Sequence, residues 1–228
     1  MEELNKYTKY KKYKSPFVKD GNYKNTKELS QLLPRGTWIV TEKIDGTNIR
    51  IILDQQKEDG SRDYYIGSRK LILNNEDKNS KQFLDCIKDV NINKLIDYFK
   101  DIKHTITIYG EGYGAGVQTG HIYSQDKNYR VFDIKIGDVY QDWTYVCKVC
   151  VDNQLNIVPL LGNSKELSYD KCVGLLNTFH NTLIQEGTGG TPEGVVYKFE
   201  PVLLDKYGER LIFKVKFKDF YDFQKIKK

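Results

Sequence analysis

Lys43, Glu111, Glu193, Lys214 and Lys216 are the residues whose types and spacing suit chemistry. A lysine attacks an electrophile only as its neutral amine. Neighbouring cations and partial loss of water favour that form. Lys43 stands at the end of an apolar run, immediately before Ile44-Asp45-Gly46, a place that holds a side chain firmly. Lys214 and Lys216 are two apart, so in a strand they share a face while Leu211, Phe213, Val215 and Phe217 take the other. Two parallel ammonium groups make a clamp for a phosphate. Glu111 sits among Gly110, Gly112 and Gly114, where backbone can approach a ligand closely. Glu193 follows the Gly/Thr-rich run 187–192 and opens another apolar run. Carboxylates near a polyphosphate serve ribose hydroxyls or Mg²⁺. Taken one at a time, each of these residues also fits an ordinary solvated strand.

The elements that must position them follow from periodicity. Strands are predicted at 38–43, 47–53 (Ile49, Ile51 and Leu53 on one face) and 64–68, with Asp45-Gly46 as the turn between the first two. A helical stretch over 80–102, broken near Asn91, leads to strands at 105–111 and 129–136. A helix at 142–152, a short strand at 157–160, a helix at 165–183 and strands at 194–199 and 211–217 complete the order. An earlier short helix, 25–33, is stopped by Pro34-Arg35-Gly36. This is an α+β pattern built on antiparallel sheet. The Gly-rich run 110–116 lacks the Gly-Lys-Ser/Thr ending of a phosphate-binding Walker loop.

The 228 residues, 39% hydrophobic and 29% charged with net charge +5, suit one globular domain and permit an anionic partner without demanding one. No apolar run approaches a membrane span, and no secretory leader is expected. Four cysteines in a chain this long form no disulfide framework, so a reducing cytoplasm is expected. Cys147 and Cys150 lack the second pair of a zinc site and read as packing residues of a helix. The first 25 residues interleave Tyr7, Tyr10, Tyr13 and Tyr23 with lysines. Such a segment either contacts nucleic acid by charge and stacking or is a solvated extension whose tyrosines pack on the domain. Lys-, Asn- and Tyr-rich usage suggests an AT-rich, viral genome.

In order, Lys-Ile-Asp-Gly-Thr-Asn (Lys43 to Asn48), Ser68-Arg69, the Gly-flanked Glu111, Val-Phe-Asp-Ile (Val131 to Ile134), Glu-Gly-Val-Val-Tyr-Lys (Glu193 to Lys198) and Lys-Val-Lys (Lys214 to Lys216) resemble the motif series of the covalent nucleotidyltransferase superfamily. That superfamily comprises polynucleotide ligases and mRNA capping enzymes. Asn48, after Gly-Thr, resembles the ATP-dependent RNA ligases of the phage type-2 and RNA-editing branch, where DNA ligases and capping enzymes carry Arg. Asp45 departs from the His common in that branch.

The resemblance implies an adenylyltransferase (ATP-grasp-like ligase) core of antiparallel sheets flanked by helices, with nucleotide in the cleft between them. It covers roughly 38–217, within a single nucleotidyltransferase domain spanning 26–228 after the N-terminal extension 1–25. Twelve residues follow Lys216, so neither a C-terminal OB domain nor a helical domain is expected. Lys43 would carry AMP. Glu42 would read the adenine amino group, with Ile44 beside it in the nucleotide site. Asn48 and Arg69 would engage the reacting end and the phosphates. Glu111 would bind the ribose, Phe132 would stack on adenine, and Glu193 would hold Mg²⁺ or Mn²⁺, partly through water. Lys214 and Lys216 would bind the α-phosphate.

The expected substrates are ATP and RNA ends or a nicked duplex, with a partner protein or the basic N-terminus helping to grip the nucleic acid. A DNA-nick ligase or a GTP-using capping guanylyltransferase is the alternative, and a non-catalytic nucleic-acid-binding relative the remote one.

Overall fold

The computed structural model describes residues 1–11, 36–74, 78–167, 169–205 and 208–218. The helix expected at 25–33, the remainder of the basic N-terminal segment from residue 12, and the tail beyond 218 lie outside the described residues. The chain forms two compact units, Met1–Lys11 with Gly46–Ile157, and Lys12–Asp45 with Val158–Lys228.

The first unit is built on a five-stranded antiparallel sheet. Its strands are β2 (Thr47–Leu53), β3 (Tyr64–Ser68), β4 (Ile106–Tyr113), β5 (Asn128–Ile136) and β6 (Val139–Tyr140), in the order β3-β2-β4-β5-β6. The register sets Ile51 beside Ile108 and Ile108 beside Ile134, and Leu53 beside Ile106. These side chains are buried with Ile49 as one apolar face. Helices α2 (Lys78–Cys86) and α4 (Trp143–Asn153) pack on this sheet, with α3 (Ile92–Tyr98) against α4. Asn91 caps α3 by accepting from the Lys94 amide at 3.0 Å, which is why the stretch 80–102 splits there. Asp142 caps α4 in the same way.

The other face of this sheet is polar: Asn48 beside Glu111, then Arg50 beside Tyr109 and Tyr109 beside Asp133. Helix α1 (Glu2–Thr8) covers the Arg50 row. Arg50 is fully buried and donates to the Asn5 carbonyl, the Asn5 side-chain oxygen and Thr8 Oγ1. Burial lowers its pKa to about 10, still far above neutrality, so it remains a cation. Of the N-terminal tyrosines that are described, Tyr7 is exposed and Tyr10 is buried against the sheet.

The second unit carries a four-stranded antiparallel sheet in the order β7-β1-β8-β9, from β1 (Thr37–Lys43), β7 (Leu160–Ser164), β8 (Gly194–Glu200) and β9 (Ile212–Lys216). Trp38 and Val40 of β1, Val195, Tyr197 and Phe199 of β8, and Val215 of β9 form its core with Cys172 and Leu176 of α5 (Tyr169–Thr178). Trp38 and Phe199 meet edge to face at 5.0 Å.

Three local expectations change. β1 and β2 do not pair as a hairpin. They belong to different sheets, and residues 45–46 form a bend. Gly46 lies so close to the Gly112 carbonyl, 2.3 Å from where a Cβ would be, that the glycine serves close backbone approach rather than a two-residue turn. The strand placed at 157–160 runs over Leu160–Ser164, where it pairs with β1. The helix placed at 165–183 is the shorter α5, because Thr182 and Leu183 are engaged by a buried carboxylate instead.

Candidate active site

Strand alternation in the second unit turns Trp38 and Val40 inward and Ile39, Thr41 and Lys43 to the opposite face. The register continues that face across the sheet. Lys43 lies beside Gly194 and Gly194 beside Lys216; one step along, Thr41 lies beside Val196 and Val196 beside Lys214. Two lysine side chains therefore flank a residue that has none. A Cβ on Gly194 would stand 2.1 Å from the Val215 carbonyl oxygen, so the strand accepts only glycine there. As expected, Val215 and Phe217 fill the core while Lys214 and Lys216 share the other face; Ile212, on the lysine side, is buried as well.

Glu193 joins this row. One carboxylate oxygen accepts from the Lys43 ammonium and the other from that of Lys216. The three side chains are 17–19% exposed, so the charges interact through a partly dry medium. The Phe217 amide donates to the Glu193 carbonyl at 3.1 Å, which fixes the backbone from which the carboxylate extends. Burial pushes the Glu193 pKa up, but Lys43 and Lys216 outweigh it and hold the carboxyl below the usual glutamate range.

A depressed folded-state pKa adds stability that is fully present above the unfolded glutamate value of about 4.3 and lost as pH falls through the folded value. Between about pH 6 and pH 3, the Tm of the metal-free wild type should therefore fall more steeply than that of Glu193→Gln. Parallel thermal melts across that range would contradict the bridge.

Glu42 faces the other way from Lys43. It is buried, and its carboxylate accepts from the Thr182 hydroxyl and from the Leu183 amide at 2.9 Å. Its place beside Lys43 thus includes an anchor for the segment after α5. Ile44, next in the chain, is buried.

In the first unit, Asn48 and Glu111 are cross-strand neighbours on the polar face. Asn48 is buried, and its Oδ1 has no hydrogen-bond partner among the described residues. A buried polar atom left unpaired costs about 1–3 kcal/mol, which a polar ligand group would relieve. Phe132 occupies a bulge. Tyr109 pairs with Asp133 and Gly110 with Val131, so Phe132 falls between two register pairs. Bulges of this kind re-aim a side chain. Gly110 lets β5 approach closely here, since a Cβ there would lie 2.5 Å from the Arg130 carbonyl oxygen. Arg69, just past β3, is exposed.

The structure thus gathers Glu42, Lys43, Glu193, Lys214 and Lys216 on one sheet and sets Asn48, Glu111 and Phe132 on the other. Thr182, Leu183 and Gly194 were not singled out from sequence. Only Gly194 had a signal, as the glycine following Glu193.

Solved structures with this fold include a Naegleria gruberi RNA ligase mutant in its apo form, matching at TM-score 0.63 and 13% identity over 97% of this chain and 59% of that one. Another is a mutant of that ligase with ATP and Mn, at TM-score 0.63, 14% identity, and 96% and 58% coverage. A third is that ligase with PPi, at TM-score 0.58, 15% identity, and 96% and 62% coverage. The chain spans about three fifths of the length of these ligases. The RNA ligase family model matches residues 36–216, a stretch that begins before β1, ends on Lys216 and contains every candidate residue from Glu42 onward. By that match, the chain belongs to the RNA ligase family.

Proposed function

We propose that this chain is an ATP-dependent RNA ligase that carries AMP on Lys43, passes it to the 5′-phosphate of an RNA end, and joins that end to a 3′-hydroxyl. The observation that carries the reading is the row Lys43–Gly194–Lys216 with Glu193 bridging the two ammonium groups. On this reading the row supports an attacking amine with a charge-stabilising cation beside it. The similar Naegleria ligase structures that hold ATP, AMP, Mn and PPi support the nucleotide and the leaving group.

In the first step the Lys43 amine forms a bond to the α-phosphorus of ATP and pyrophosphate leaves. In the second, a 5′-phosphate oxygen attacks that phosphorus and Lys43 is released. In the third, a 3′-hydroxyl attacks the adenylylated end, the new phosphodiester forms and AMP leaves. Attack needs a free lone pair on the Lys43 nitrogen, so its bond to Glu193 must give way first. Lys216, with Lys214 one step along the same face, then supplies positive charge to the α-phosphate as negative charge grows there. Asn48 and Glu111 offer polar groups to the ribose and reacting end, Phe132 its ring to adenine, and Arg69 its charge to a phosphate.

The donor set fits a divalent ion. No cluster of three His, Cys, Asp or Glu side chains that would cage a metal occurs among the described residues. Mg²⁺, however, is ordinarily held by one or two carboxylates with waters and substrate phosphates. Glu193 would hold Mg²⁺ or Mn²⁺, which neutralises phosphate charge when bound. No helix among the described residues is long and apolar enough to cross a membrane.

The test is a panel of nicked duplexes with ATP or GTP and Mg²⁺. Sealing of a nick with RNA at the 3′-hydroxyl side, dependent on ATP, is the expected result. Reaction with GTP in place of ATP would convert the reading to capping. Sealing of all-DNA nicks alone would convert it to a DNA ligase.

A further inference from the structure

We propose that Tyr10 is a positioning residue for the ring of Phe132, which makes the N-terminal segment a working part of the nucleotide-binding unit. The inference rests on the reading of Phe132 as the adenine-stacking ring. A stacking ring must present a fixed plane, and a residue in a regular ladder has its side-chain direction set by its cross-strand partners. The bulge at Tyr109/Gly110 sets Phe132 between two register pairs, Tyr109 with Asp133 and Gly110 with Val131. A neighbouring ring can hold such a plane.

Tyr10 is placed to do so. Its ring meets Phe132 edge to face at 5.1 Å and 67°, a favoured aromatic geometry that fixes the relative orientation of both rings. Tyr10 is in turn held at several points. Its hydroxyl donates to Asp133, the residue directly after Phe132. Its ring lies 4.6 Å from Tyr109, the strand residue at the bulge, and 6.1 Å from Tyr140. The helix that delivers it is bound by the buried guanidinium of Arg50 through Asn5 and Thr8. Lys135 donates to the Tyr7 carbonyl at 3.2 Å. Tyr10 thus contacts Phe132 and both members of the register pair beside the bulge, Tyr109 on β4 and Asp133 on β5.

The test measures auto-adenylylation of the full chain with ATP for wild type, Tyr10→Leu, Tyr10→Phe, Phe132→Ala and the Tyr10→Leu/Phe132→Ala double variant. Leucine keeps apolar bulk in the site but removes the flat ring; phenylalanine keeps the ring and removes the bond to Asp133. Tyr10→Leu should raise the KM for ATP about tenfold with little change in the rate at saturating ATP, and Tyr10→Phe should stay within about threefold of wild type. In the double variant, Tyr10→Leu should add nothing to the effect of Phe132→Ala, because both act through one ring.

A purely structural role would lower the saturating rate through loss of folded protein and leave KM alone, which overturns the proposal. So would a wild-type KM in Tyr10→Leu beside a raised KM in Phe132→Ala, or additive effects in the double variant. A wild-type KM in Phe132→Ala would overturn the stacking reading itself, and the positioning role with it.

Discussion

Lys43→Ala is expected to abolish transfer of AMP from ATP to the chain, a loss on the order of 10⁴-fold or more, while the second unit stays folded. Chemistry and stability separate here because of the bridge. Glu193 holds Lys43 with one oxygen and Lys216 with the other, so removing Lys43 leaves the carboxylate paired. The usual penalty for stranding a buried charge, about 3–5 kcal/mol, is avoided, and the cost should be about 1 kcal/mol. Lys43→Arg makes the sharper control. It keeps a cation for Glu193 but offers no amine of comparable nucleophilicity, and it should be as inactive as alanine. An arginine variant that still accepts AMP would place the attack elsewhere.

The second large effect concerns Lys216. It lies one strand beyond Gly194 from Lys43, in the same cross-strand row, and its ammonium reaches the same carboxylate. On the proposed reading that cation acts on charge that develops in the transition state, and losing one such group typically costs about 10²–10³-fold. Lys216→Ala should slow single-turnover adenylylation by that factor at saturating ATP. Lys214 stands in the neighbouring row, beside Val196, about 7 Å further along the strand. Lys214→Ala should cost less. Rapid-quench rates that place Lys214→Ala below Lys216→Ala would contradict the assignment of the two lysines.

Much of this geometry was legible because period-two alternation is a local property. Val215 on one face of β9, with Phe217 just beyond the strand, and Lys214 and Lys216 on the other face follow from residue types alone, and the break at Asn91 follows from its capping side chain. What stayed hidden depends on residues far apart in the chain. Asp45-Gly46 has the composition of a hairpin turn, yet the tight packing of Gly46 on Gly112 gives it another use, and β1 and β2 join different sheets.

Glu42 carries no mark of its bonds to Thr182 and Leu183, some 140 residues away, which draw that segment out of the helix the pattern suggested. Tyr7 and Tyr10 look alike in a basic segment. Only the fold makes one exposed and the other a buried neighbour of Phe132. The bulge at Phe132 likewise appears only once β4 and β5 are paired.

The central claim is a covalent bond between AMP and Lys43. Its most direct measurement is mass spectrometry of the chain after incubation with ATP and Mg²⁺, with the modified peptide then sequenced. The account predicts one added AMP on the peptide containing Lys43, acid-labile as a phosphoramidate is. AMP on another residue, Lys216 above all, or a chain that seals RNA without ever carrying AMP, would contradict it.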